Sequence, residues 1–123
     1  MRASVVRVSH ERLRGFIAAA LQRVGVPPDD AQTVAGLMAE ADLQGSDGHG
    51  VMRLPQYVRR IQAGGVNLRP RIRLVEERAA MALVDGDNGM GHLVMTFAAQ
   101  TAIAKARTAG VAWVGVRWSN HAG

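Results

Sequence analysis

The chain predicts an α+β fold, an N-terminal helical layer followed by a β-β-α-β segment. Three observations carry that prediction. Apolar residues recur at three- and four-residue steps from Leu13 to Ile61, interrupted at Gly25 and at a glycine-rich polar cluster. The composition then changes at Asn67-Leu68-Arg69-Pro70, a linker signal, and short β-type runs begin. An alanine-rich helical stretch from Gly91 to Ala109 separates two of those runs. The division is therefore a helical region over 1–68 and the start of an α/β domain over 69–123.

The first helix opens at Ser9, a good N-cap, and buries Leu13, Phe16, Ile17, Ala20, Leu21 and Val24 before Gly25 stops it. Pro27-Pro28-Asp29-Asp30 starts the second. Proline suits a first turn, and aspartates suit the positive end of the helix dipole. Its buried stripe is Ala31, Val34, Ala35, Met38 and Ala41, with Glu40 and Asp42 read first as solvated. Leu54 to Ile61 reads as a third helix ending at Gly64-Gly65, with Pro55 in its first turn. Ile72, Leu74 and Val75 suggest a short strand with Arg71 and Arg73 facing outward, and Ala80 to Val84 a second. Asp85 to Gly91 reads as a tight turn ahead of a phosphate cradle. The 91–109 helix has little charge and is expected to be well buried, with Leu93, Val94, Phe97, Ala98, Ile103 and Ala104 inward. Val111 to Val116 is a continuous apolar run, the pattern of an interior strand.

Composition narrows the function. With 123 residues, 48% of them hydrophobic, the chain is long enough for one domain or one piece of a larger one. No apolar run reaches the roughly 18 residues of a membrane span. The start Met1-Arg2-Ala3-Ser4-Val5-Val6-Arg7-Val8 is too short and too charged for a signal peptide, so a cytoplasmic address and no membrane are expected. Without cysteine there is no disulfide framework and no thiolate zinc site. The net charge of +5 is almost wholly arginine, and only 4% of residues are aromatic. Bases need stacking partners, so a solvated face or a site for an anionic small molecule fits this charge better than nucleic acid.

Two polar histidine clusters carry the candidate chemistry. Gly45-Ser46-Asp47-Gly48-His49-Gly50-Val51-Met52-Arg53 joins three properties in one loop. Its glycines allow close backbone approach, histidine is the side chain suited to acid–base work near neutral pH, and arginine grips carboxylates in pairs of hydrogen bonds. Apolar Ala39, Ala41, Leu43, Val51, Met52 and Leu54 are expected to hold this loop against a core. Four residues cannot part His49 from Arg53 by more than about 14 Å. Tyr57 joins their face or packs as a structural tyrosine. Ser119-Asn120-His121-Ala122-Gly123 follows directly on a buried strand, and strand ends favour ligand sites. Oxidising an alcohol needs a base for the hydroxyl proton while hydride leaves the same carbon, and a neutral imidazole fits that task. Arg53 would hold a substrate carboxylate, while Ser46, Asp47, Ser119 and Asn120 would orient an imidazole or a substrate oxygen. His10, His49, His92 and His121 lack metal-ligand spacing, so no metal is expected. The glycines at 86, 89 and 91 do not spell a dinucleotide fingerprint.

Three segments together resemble the malate/L-lactate dehydrogenase family of the second type, which is unrelated to classical lactate dehydrogenase. They are Ala41 to Tyr57, Val84 to Gly91 and Gly115 to Gly123. The resemblance implies a non-Rossmann NAD(P)-dependent dehydrogenase fold, here incomplete, interconverting 2-hydroxy and 2-oxo acids. It implies His121 as the acid–base residue, His49 at the same site and Arg53 on a small carboxylate substrate. It further implies a homodimer, with most NAD or NADP contacts outside this chain and no cofactor-binding residue assigned within it. Gly48 stands where the family often has serine, and Ala122 where it often has phenylalanine. The rival expectation is a non-catalytic truncated remnant, or a fragment that binds another subunit through its last strand, with Met38, Met81, Met90 and Met95 along the contact.

Overall fold

The computed structural model describes residues 4–123; the signal-peptide reading rests partly on Met1, Arg2 and Ala3, which lie outside the described residues. Helix α1 spans His10–Arg23 and α2 spans Pro28–Leu43. Two short 3-10 turns, Asp47–His49 and Val51–Arg53, lead into α3, Leu54–Gln62. Strands β1, Arg73–Glu77, and β2, Met81–Gly89, precede α4, Gly91–Ala109, and β3, Trp113–Ser119. The expected order, three helices and then β-β-α-β, is therefore the observed one.

The helix ends follow local chemistry. Ser9 Oγ accepts the backbone N–H of Arg12 at 3.3 Å, which caps α1, and Gly25 leaves the helix at φ +99°. Asp29 and Asp30 occupy the first turn of α2 behind Pro28. Ile17, Leu21, Val34 and Met38 are fully buried between α1 and α2, and Leu54, Tyr57 and Ile61 of α3 close the same cluster. Met90 joins it from the β2–α4 junction, so the helical layer touches the sheet just where the polar residues gather.

The sheet has the order β1-β2-β3, with β1 and β2 antiparallel and β2 and β3 parallel. Helix α4 forms the crossover between the parallel pair and packs on both strands, burying Val94 and Ala98 against Val84.

Several expectations need correction. Asp85 to Gly91 is not a free tight turn, because β2 continues to Gly89 and pairs Gly89 with Ser119. The turn chemistry is absorbed as a bulge. Asp85 Oδ1 accepts the Asp87 N–H at 2.9 Å, and Asp87 and Asn88 sit at φ +49° and +58°. The neighbouring backbone of β3 lets the ladder resume beyond it. β3 itself is an edge strand among the described residues, with Trp113 74% and Trp118 71% exposed. One face of α4 is open as well, since Ile103 and Ala104 are exposed. An apolar run reads the same whether or not a neighbour covers it, so periodicity alone could not separate these cases. Phe16, Leu43 and Met52 are exposed for the same reason, while Met38 and Met90 lie in the core rather than on a contact surface. Every residue of β1, including Leu74 and Val75, is exposed, as suits the other edge.

Candidate active site

The glycine-rich loop is built by α2. Asp42, half-buried, turns toward the loop, and its Oδ2 accepts the Val51 N–H at 2.7 Å. Gly50 is buried against that carboxylate, and a Cβ there would overlap it. This anchor places His49 and Arg53 in successive 3-10 turns just before α3. Glu40 stays at the surface, where it accepts the Gln44 side-chain amide.

Arg53 is held by two neutral acceptors. Its Nε donates to the Gly48 carbonyl at 2.7 Å and its Nη1 to Gln56 Oε1 at 2.8 Å. Ser46 Oγ lies 3.4 Å from His49 Nδ1, so Ser46 supplies the nearest hydroxyl to this imidazole where Gly48 has none.

The second cluster arrives from the sheet. Trp118 adopts φ +51°, a left-handed conformation that L-residues other than asparagine and aspartate rarely take. The kink ends β3 and sends the backbone across the start of α4. Gly91 receives it, and a Cβ at this position would overlap the carbonyl oxygens of Asn120 and His121. Asn120 then clamps the loop. Its Nδ2 donates to Asn88 O at 2.9 Å, Asn88 Oδ1 at 3.0 Å and Gly89 O at 3.0 Å, while its Oδ1 accepts Arg60 Nε at 2.7 Å.

The two histidines meet across this junction. The rings of His49 and His121 stack with centroids 5.9 Å apart and an interplanar angle of 8°, although 72 positions separate them in sequence. Tyr57 Oη lies 2.9 Å from His121 Nδ1. Burial pushes the Tyr57 phenol above its usual range, with the Arg53 guanidinium opposing, so the hydroxyl keeps its proton at neutral pH. Behind Tyr57 stands His92, 3% exposed, edge-on to the phenol ring at 5.3 Å. Burial first, then the nearby His121, lowers the His92 pKa to about 4.

Beside His121 a cleft of about 230 Å³ opens between α3 and the 119–121 loop. Tyr57, Arg60, Ser119, Asn120 and His121 form its polar wall; Ile61, Val66 and Met90 form its apolar floor. The volume suits a molecule smaller than a typical drug, which needs about 300 Å³ or more. His49, Arg53 and Ser46 do not line it, although His49 stacks on the ring of His121, which does. Ser119 Oγ donates to the Asn120 carbonyl at 2.9 Å, so this hydroxyl is partly committed to its own loop. Asp47 makes no side-chain hydrogen bond among the described contacts. No group of metal-ligating side chains occurs among the described residues. No helix among them is long and apolar enough to cross a membrane.

Arg60 and His92 have no site role in the sequence reading, and Tyr57 is left there between the histidine face and a structural tyrosine. Arg53, Gln56, Tyr57 and Arg60 recur at three- and four-residue steps, the spacing of one helix face, and that signal was available. Nothing local marks His92.

These features define a class: an α+β protein whose small polar cleft, at the carboxyl end of a parallel strand, is flanked by paired imidazoles and carries no dinucleotide fingerprint. The chain belongs to the malate/L-lactate dehydrogenase family, whose sequence profile matches residues 8–123. It is similar to malate dehydrogenase of Pyrococcus horikoshii, 46% identical over 118 residues that cover 96% of this chain and 33% of the relative. Against the solved structure of that enzyme the TM-score is 0.91, covering 96% of this chain and 34% of the other. Sulfolactate dehydrogenase from Methanocaldococcus jannaschii gives a TM-score of 0.88 at 39% identity, covering 93% and 33%. Ureidoglycolate dehydrogenase (NAD(+)) of Escherichia coli K12 is 34% identical over 118 residues, 96% of this chain and 34% of the relative. The chain thus spans about a third of the length of the relatives it matches.

Proposed function

We propose that this chain supplies the acid–base half of an NAD(P)-dependent dehydrogenase that interconverts a small 2-hydroxy acid and its 2-oxo acid. The observation that carries the reading is the stacked pair His49 and His121, with Tyr57 Oη 2.9 Å from His121 Nδ1. With Nδ1–H donated to the Tyr57 oxygen, Nε2 carries the lone pair and takes the substrate hydroxyl proton as hydride departs from the carbon. The resulting imidazolium keeps its Nδ1–H on Tyr57. In the reverse direction the same Nε2–H protonates the oxygen of the 2-oxo acid. His92, uncharged near neutral pH, adds no second cation behind the imidazolium. Arg53 holds the substrate carboxylate once it exchanges Gln56 for that stronger acceptor. His49, Ser46, Ser119 and Asn120 shape the remaining walls.

The nicotinamide group supplies the hydride acceptor. The chain's own residues do not fit the whole dinucleotide. The start of α4 is covered by the Asn120 and His121 carbonyls, and the cleft of about 230 Å³ is too small. Those contacts are therefore assigned outside this chain.

The test uses the polypeptide at its full encoded length, assayed with 2-oxo acids and NADH or NADPH. His121→Ala is expected to lower kcat by about 10²- to 10⁴-fold. Undiminished turnover in that variant would remove the assignment. A second reading, a non-catalytic subunit-interaction fragment, draws on the exposed Val111, Trp113 and Trp118 along the β3 edge. It predicts concentration-dependent association by light scattering and no nicotinamide-dependent turnover at any length.

A further inference from the structure

Arg60 is the one arginine that lines the cleft, and the reaction described above leaves it unused. It stands one turn beyond Tyr57 on α3. Its Nε is committed to Asn120 Oδ1 at 2.7 Å, and Asn120 is itself fixed by three further hydrogen bonds to Asn88 and Gly89. The guanidinium is thus oriented before any ligand arrives. A guanidinium offers five N–H donors, and only the Nε–H of Arg60 has a partner among the described hydrogen bonds. Its two Nη groups, the fork that grips an oxyanion, remain available. No aspartate or glutamate lines the cleft to neutralise the charge.

Arg53 differs in setting. It lies seven positions earlier, in the 3-10 turn that precedes α3, and does not line the cleft. An anion that reached both guanidiniums would carry acidic groups at both ends.

We propose that Arg60 reads a second acidic group at the far end of the substrate, so that the cleft selects dianionic 2-hydroxy acids over monoanionic ones; this rests on the acid–base reading of the site given above. The second group is a carboxylate or a sulfonate, because both present oxygen pairs to a guanidinium fork. Arg60 is a specificity residue here and takes no part in proton transfer.

The experiment compares oxaloacetate with pyruvate as probes in the protein at full encoded length, with reduced nicotinamide in excess. In Arg60→Gln the ratio of kcat/KM for oxaloacetate over pyruvate is expected to fall about 30-fold, chiefly through KM for oxaloacetate. Arg60→Lys, which keeps the charge but not the fork, is expected to recover part of that loss. A ratio within about threefold of the parent overturns the proposal. That includes the case in which both substrates decline together, since loosening of Asn120 alone would produce it. If the parent reduces neither acid, the dehydrogenase reading has failed, and Arg60 is tested by binding. Malate and lactate are then titrated into the isotope-labelled protein while the Arg60 Nε–H and His121 ring resonances are followed. Tighter binding of malate that Arg60→Gln abolishes supports the anion site, and equal binding of the two acids overturns it.

Discussion

Acid should weaken this fold through one side chain. His92 is 3% exposed, both its ring nitrogens lack partners, and its pKa falls from 6.5 to about 4. Between those two values the unfolded chain binds a proton that the native state refuses. Stability is then lost as pH drops from about 6.5 toward 4, and no more is lost below that. At about 1.4 kcal/mol per pH unit the gap amounts to about 3 kcal/mol, a large part of a small domain's total. The groups facing His92 are Tyr57 from α3 and His121 from the loop after β3. The assay is urea unfolding of the parent and of His92→Leu at pH 7, 5.5 and 4. Leucine cannot titrate, so subtraction removes the contribution of every other group. The parent is expected to lose about 3 kcal/mol relative to the variant between pH 7 and pH 4. A difference constant to within about 0.5 kcal/mol, the usual error of additivity, would refute the reasoning.

Three further outcomes follow from the same geometry. Tyr57→Phe removes the hydroxyl on His121 Nδ1 and should free the His121 ring to reorient, seen as a shift and broadening of its ring-proton NMR signals, while kcat falls about tenfold or more. Gly91→Ala places a methyl against the Asn120 and His121 carbonyls, which must retreat. Its crystal structure should show the His121 ring displaced from Tyr57, with turnover lost and the helical layer intact. Trp118→Gly relieves a left-handed residue whose indole is 71% exposed, and thermal unfolding should report a gain of about 1 kcal/mol. A loss in that variant would mean that the exposed ring packs in solution.

The glycine-rich loop was legible because its message is local. Ser46, His49 and Arg53 lie within eight consecutive positions, and any compact backbone must hold them close. The helix caps at Ser9 and Gly25, and the order of helices and strands, were legible for the same reason: hydrophobic period and turn chemistry act over a few residues. The apolar run at 111–116 forms an edge strand among the described residues, and a run reports hydrophobicity and not which faces are covered. The turn at 85–91 was misjudged because β3, some thirty residues onward, supplies the backbone partners that convert it to a bulge.

By itself the sequence determined the elements, their order, the family resemblance and the two histidine clusters. Only the tertiary structure decided that His49 and His121 stack, that Tyr57 addresses His121, that Arg60 and not Arg53 faces the cleft, and that His92 lies buried behind them. The physical reason is range. Propensity and periodicity are set by near neighbours, whereas each of those contacts depends on α3 docking against the loop after β3, a meeting of segments about sixty residues apart that hydrophobic burial around Met90 brings together.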